Sequence, residues 1–165
     1  MQTEMKLKVG DKAVYPAQGV GEVIKIEEIE IAGSKQMVYV LKILSDPKRM
    51  VKVPVSNPHA LRAIINEEEI GDLLDILKER SVKFDNQTWN RRYRGFMDKI
   101  KTGSIYDAAE VMRDLYRLKL EKPLSHGEKK MLEQARNLIV KEIATARDQT
   151  EENVRSEIES LFEVN

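Results

Sequence analysis

The sequence predicts an α+β chain: a small β module followed by a compact bundle of five helices. Three observations lead there. Over residues 9–55 apolar and charged residues alternate with period two between turn-forming glycines and prolines. Beyond Asn57-Pro58 the apolar period changes to 3.6. A composition of 34% charged and 5% aromatic residues fits a helix-rich protein with a modest core. The β part spans 1–62 and the helical part 66–165.

The strands read in order. Lys12-Ala13-Val14-Tyr15-Pro16 is a short strand stopped by a proline, and Gly19 and Gly21 flank Val20 where a tight bend or bulge fits. From Glu22 to Ile31, residues Ile24, Ile26, Ile29 and Ile31 stand among charges, with one slip near Glu27-Glu28 that predicts a bulge there. Ala32-Gly33-Ser34-Lys35 reads as a hairpin turn. Met37 to Leu44 is apolar on both faces, which suits either a buried central strand or an exposed edge that recruits a partner strand. Asp46-Pro47-Lys48-Arg49 is the next turn, and Met50 to Pro54 closes the set. Four or five short strands joined by tight turns predict a small barrel or curled sheet.

The helices follow with their caps. Asn66 with Glu69 caps a helix carrying Ile70, Leu73, Leu74 and Leu77. After the polar linker 83–87, Thr88 caps a second with Tyr93, Phe96, Met97 and Ile100 on one stripe. Gly103 ends it and Ser104 starts a third, which carries Ile105, Ala108, Ala109, Met112, Leu115 and Tyr116. Ser125 with Glu128 caps a fourth, with Met131, Leu132, Ala135, Leu138, Ile139 and Ile143. Thr150 begins a short last helix with Val154, Ile158, Leu161 and Phe162. Short joints between amphipathic helices imply a bundle.

Composition narrows the function classes. With no cysteine there is no disulfide framework or thiolate site, and His59 and His126 alone make a zinc site improbable chemistry. No stretch of about 18 apolar residues exists, and the N-terminus lacks the apolar core of a secretory signal. A cytoplasmic protein with no cofactor, metal or membrane association is expected. Catalysis is not expected either. Gly19-Val20-Gly21 lacks the third glycine and following helix of a dinucleotide fingerprint. Ser125 beside His126 is occupied as a cap, Glu27-Glu28 reads as exposed strand charge, and Glu67-Glu68-Glu69 suits the positive end of a helix dipole.

Net charge is zero, yet its distribution is uneven. From Trp89 to Lys130 there are eleven basic and six acidic residues, an excess of five positive charges, whereas from Lys141 to the end seven acids face three bases. The single tryptophan, Trp89, sits in Thr88-Trp89-Asn90-Arg91-Arg92-Tyr93-Arg94. A flat apolar ring beside three guanidiniums suits DNA: arginine neutralises phosphate, and an apolar side chain wedges into an opening base step. Trp89 also lies at the edge of the stripe of Tyr93, Phe96, Met97 and Ile100, so a core role stands open beside the DNA role. Arginine in a first turn opposes the macrodipole and is better tolerated where an anion is the neighbour. Gly127-Glu128-Lys129-Lys130 puts a second basic turn at another helix start; whether the two turns meet is not written in the sequence.

At these residues the chain resembles the CarD family of bacterial transcription regulators, in its short CdnL-type form. The marks are Val9-Gly10-Asp11-Lys12-Ala13-Val14-Tyr15-Pro16 with Gly19-Val20-Gly21, then Val53-Pro54, Trp89-Asn90-Arg91-Arg92-Tyr93, Ala109-Glu110-Val111-Met112-Arg113-Asp114-Leu115 and the segment from Leu124 to Leu132. The opening motif also marks the related module of transcription-repair coupling factor. The resemblance implies a Tudor-like β-barrel that docks on the β subunit of RNA polymerase through Val40, Lys52 and Pro54. It implies a helical domain against promoter DNA, with Trp89 wedged into the minor groove at the upstream edge of the melted bubble. Arg91, Arg92, Arg94 and Lys129 would be the backbone anchors. The resemblance further implies that the open complex stabilised is that of the primary sigma factor holoenzyme, and the protein is expected to be a monomer. Some relatives carry arginine where Lys52 and Ile29 stand, which exchanges a bidentate contact for a point charge at Lys52 and leaves no cation at Ile29. A protein–protein adaptor without DNA contact, with Trp89 in the core, is the alternative.

Overall fold

The computed structural model of the chain describes residues 6–16, 18–56, 61–79 and 89–163. They form two compact units, 1–64 and 65–165.

The first unit is an antiparallel sheet of β1 (Lys12–Tyr15), β2 (Gly19–Ile31), β3 (Ser34–Ile43) and β4 (Met50–Pro54), in that spatial order. Ala32 and Gly33 alone form the β2–β3 turn, because Ile31 already pairs with Ser34. Both have positive φ, 50° and 82°, as the two-residue turn matching strand twist requires. Alanine is strained there. Ala32→Asn is expected to stabilise this unit by up to about 1 kcal/mol, read as a rise in the urea midpoint at unchanged slope.

The bulge lies at Ile24, where the register shifts between Val23 and Lys25, and not at Glu27-Glu28. Val23, Ile26 and Tyr39 therefore share one face, while Lys25, Glu27 and Ile29 take the other. The first face holds the core of Ala13, Val23, Tyr39, Leu41, Val53 and Leu61. Leu7 N–H donates to Tyr39 Oη (3.2 Å), tying the preceding segment down. Apolar on both faces, β3 is the central strand and not an edge: Val38, Tyr39, Val40 and Leu41 are all buried. Gly21 is needed for close approach, since a Cβ there would lie 3.3 Å from Leu41 Cδ2.

The sheet does not close, so the expected barrel is corrected to an open four-stranded sheet. β1 and β4 do not pair. The chain beyond β4 returns to the free edge of β1 through one bridge, with Val14 N–H donating to Arg62 O (2.8 Å) and Arg62 N–H to Val14 O (3.0 Å). A single bridge carries too few hydrogen bonds to make a fifth strand.

The second unit contains α1 (Glu67–Lys78), α2 (Trp89–Lys101), α3 (Ile105–Glu121), α4 (His126–Arg147) and α5 (Glu151–Glu163). Asn66 with Glu69 and Ser125 with Glu128 form capping boxes, and the Ser104 hydroxyl accepts from Asp107 N–H. Thr150 Oγ1 likewise accepts from Asn153 N–H. The expected cap at Thr88 and the linker 83–87 lie outside the described residues. α3 packs on α1, α2 and α4, burying Met112 and Leu115 against Ile139 and Ile143 in one core. Glu142, 2% exposed, accepts from Ile65 N–H (2.9 Å). Part of the acidic end serves internally: Arg147 holds Glu67 (2.7 Å) and Glu157 (3.2 Å), joining α1, α4 and α5.

Candidate nucleic-acid and polymerase interfaces

The two basic turns meet. Arg92 Nη2 in the first turns of α2 donates to Glu128 Oε2 in the first turn of α4, at 3.1 Å. The side chains are 17% and 6% exposed, so the pair is largely out of water. Glu128 does two jobs: its other oxygen accepts from Ser125 N–H (3.0 Å) to complete the capping box. Burial pushes its carboxyl up, but the Ser125 N–H and hydroxyl and the Arg92 guanidinium outweigh burial and hold it below the ordinary value of 4.5. A carboxyl lowered on folding contributes stability above its unfolded value and loses it as pH falls through the folded one. The joint is therefore intact at neutral pH and weakens only in acid below 4.5.

Around the joint the sequence-derived residues divide. Arg91, Arg94 and Lys129 are exposed, as is Lys130, and none has an ion-pair partner among the described residues. Arg92 differs: it is half-buried, ion-paired, and has a buried Nε without an acceptor. Trp89 is the first residue of α2, one turn before Arg92; its side chain lies outside the described residues. Phe96 and Ile100 are buried and Tyr93 and Met97 half-buried, as the apolar stripe requires. Of the five helices, α2 is the one with no acid in its first turn; α1, α3, α4 and α5 carry Glu67–Glu69, Asp107, Glu128 and Glu151–Glu152 there. The positive end of α2 is thus reinforced by Arg91 rather than offset, a geometry suited to an anion.

On the sheet, Val40, Lys52 and Pro54 lie on the face opposite the core. Val40 pairs across with Lys25 and Lys52, and Val38 with Glu27 and Pro54. Glu27 binds Lys25 (3.0 Å) and Lys52 (3.1 Å), spanning β3 from β2 to β4. These two lysines hold the Glu27 carboxyl below its ordinary value. Lys52 is exposed and Pro54 half-buried, but Val40 is 3% exposed. As a residue of the inner strand under this bridge, Val40 supports the face instead of presenting surface.

Sequence reasoning saw Glu128 only as a cap and Glu27 only as solvated charge. The capping box fixed Glu128 in a first turn, but nothing local signalled its partner across 36 residues.

Among the described residues no group of three potential metal ligands occurs, and no helix is long and apolar enough to cross a membrane. Residues 72–159 match the family model "CarD, C-terminal domain", and residues 7–65 match "CarD-like/TRCF RID domain". The chain is 36% identical over 157 residues to "Putative transcription factor YdeB" of Bacillus subtilis (strain 168), covering 90% of this chain and 97% of that protein. It is also similar to a solved structure, "CdnLNt from Myxoccoccus xanthus", at 45% identity over 41% of this chain and 96% of the other, with a TM-score of 0.33.

Proposed function

The chain belongs to the CarD family of transcription regulators, and from that premise we propose that it stabilises the open promoter complex by holding RNA polymerase with one unit and DNA with the other. The sheet face of Lys52 and Pro54 docks on the polymerase β subunit. The joined first turns of α2 and α4 face the upstream edge of the bubble. There Arg91, Arg94 and Lys129 neutralise phosphates and Trp89 wedges into the minor groove. Arg92 positions these groups by fixing α2 to α4.

The observation that carries this reading is the Arg92–Glu128 pair, which merges two basic turns into one patch. A few exposed cations give weak, salt-sensitive DNA affinity alone. Tethering through polymerase raises their effective concentration. The wedge costs least where the duplex is already opening, so it favours the open state by differential binding.

Glu128→Gln tests the joint. Glutamine still accepts from Ser125 N–H but no longer offers Arg92 a charge. Thermal unfolding is expected to show a loss of about 1–2 kcal/mol, and open-complex half-life a fall of roughly two- to fivefold. An unchanged half-life in the folded variant would remove the joint from the mechanism.

A further inference from the structure

The last turn of α3, the α3–α4 connection and one side of α4 enclose a cleft of about 190 Å³, lined by Lys119, Leu124, Lys129, Leu132, Glu133 and Arg136. On α4 the residues fall at i, i+3, i+4 and i+7 and so share a face. The floor is apolar, with Leu124 and Leu132 buried. The rim is cationic and under-neutralised. Among the described residues, Lys119, Lys129 and Glu133 form no ion pair, and Lys119 Nζ sits over the Tyr116 ring at 5.6 Å. Arg136 has Glu159 at 3.8 Å, beyond hydrogen-bond distance, and its Nε is buried with no acceptor. Two ammonium groups without an ion pair and a guanidinium without a hydrogen-bonded acid, set around one apolar floor, suit a bound anion.

We propose that this cleft binds a small organic phosphate ester, its phosphate held by Lys119, Lys129 and Arg136 and its organic body resting on Leu124 and Leu132. Three cationic donors match the terminal oxygens of a phosphate monoester better than the two of a carboxylate. The apolar floor selects an ester over the bare anion. The volume is below the roughly 300–1,000 Å³ of drug-sized sites, which limits the ligand to one phosphate and a small body. Because Lys129 also belongs to the α2–α4 patch, occupancy withdraws a cation from it. That consequence rests on the function proposed above; the binding does not.

The test is a titration of the full chain, followed by backbone amide NMR, with phenyl phosphate, inorganic phosphate and a short promoter duplex in separate arms. Saturable shifts at Leu124, Leu132 and Arg136 are expected with phenyl phosphate at a Kd of about 1 mM or below. Inorganic phosphate is expected to bind several-fold more weakly. Arg136→Gln and, independently, Lys119→Gln should each weaken phenyl phosphate about tenfold, while Arg91→Gln leaves it unchanged. No saturable shift, or shifts insensitive to both cleft substitutions, overturns the proposal. It is equally overturned if the duplex alone moves the cleft signals, since the cleft would then be DNA contact. If phenyl phosphate binds as expected but Trp89→Ala leaves the open-complex lifetime unchanged, the cleft stands and the DNA-facing function falls.

Discussion

Replacing Trp89 with alanine is expected to shorten the lifetime of the polymerase open complex by roughly five- to thirtyfold, equivalent to about 1–2 kcal/mol, without weakening binding to polymerase. The argument runs through position. Trp89 opens α2, one turn before Arg92, and Arg92 is fixed to the first turn of α4 by Glu128. Nothing acidic stands in the first turn of α2 to repel phosphate. The indole would therefore be carried on a braced helix start flanked by the exposed Arg91 and Arg94. A wedge acts on the open state and not on the closed one, so its loss should speed bubble collapse. The proposed polymerase contact belongs to the other unit and should be indifferent. Were Trp89 a core residue of the bundle, the outcome would differ in kind: Trp89→Ala would cost about 3–5 kcal/mol of stability, and blue-shifted fluorescence of the native protein would report a buried ring. Dissociation after a competitor challenge, with a melting curve beside it, separates the two.

Lys52→Glu is expected to weaken binding to a polymerase β-subunit fragment by at least about tenfold, or 1.4 kcal/mol. Lys52 is exposed on the edge strand β4, so a partner can reach it. It is oriented by Glu27, which also holds Lys25. A glutamate at 52 would meet Glu27 as a like charge and turn the middle of the face acidic. The sheet itself should survive, because exposed ion pairs contribute about 0–1 kcal/mol and the core lies on the opposite face. Equal affinity in a folded variant would take Lys52 out of the interface. Raising salt should weaken the native complex in the same direction.

What was legible in the sequence was local. Asn66, Ser104, Ser125 and Thr150 each bond to a backbone N–H three residues on, so the signal lies within one turn. Strand β4 and the turn before it were equally plain, since Pro47 and the residues around it are local features. The bulge was misplaced for a physical reason. Alternation breaks visibly between Ile26 and Ile29, but the pairing partner decides where the extra residue goes, and it goes to Ile24. Ile26 thus shares the core-side face with Tyr39, while Ile29 sits on the other. Barrel closure depends on whether distant edges pair, which no period reports. The Arg92–Glu128 joint spans 36 residues, and the Glu27 bridge crosses a whole strand; both are tertiary facts. Val40 was read correctly as apolar, but its burial depends on two neighbours that only the register supplies.

The most direct test of the central idea places 2-aminopurine at the upstream edge of the bubble on a promoter fragment carrying the holoenzyme. An indole inserted into that step unstacks the reporter. Addition of the native protein should raise its fluorescence, Trp89→Ala should add polymerase-bound protein without the rise, and Glu128→Gln should fall between. A rise of equal size with Trp89→Ala would contradict the account, because the step would then be opening without the ring that is said to hold it.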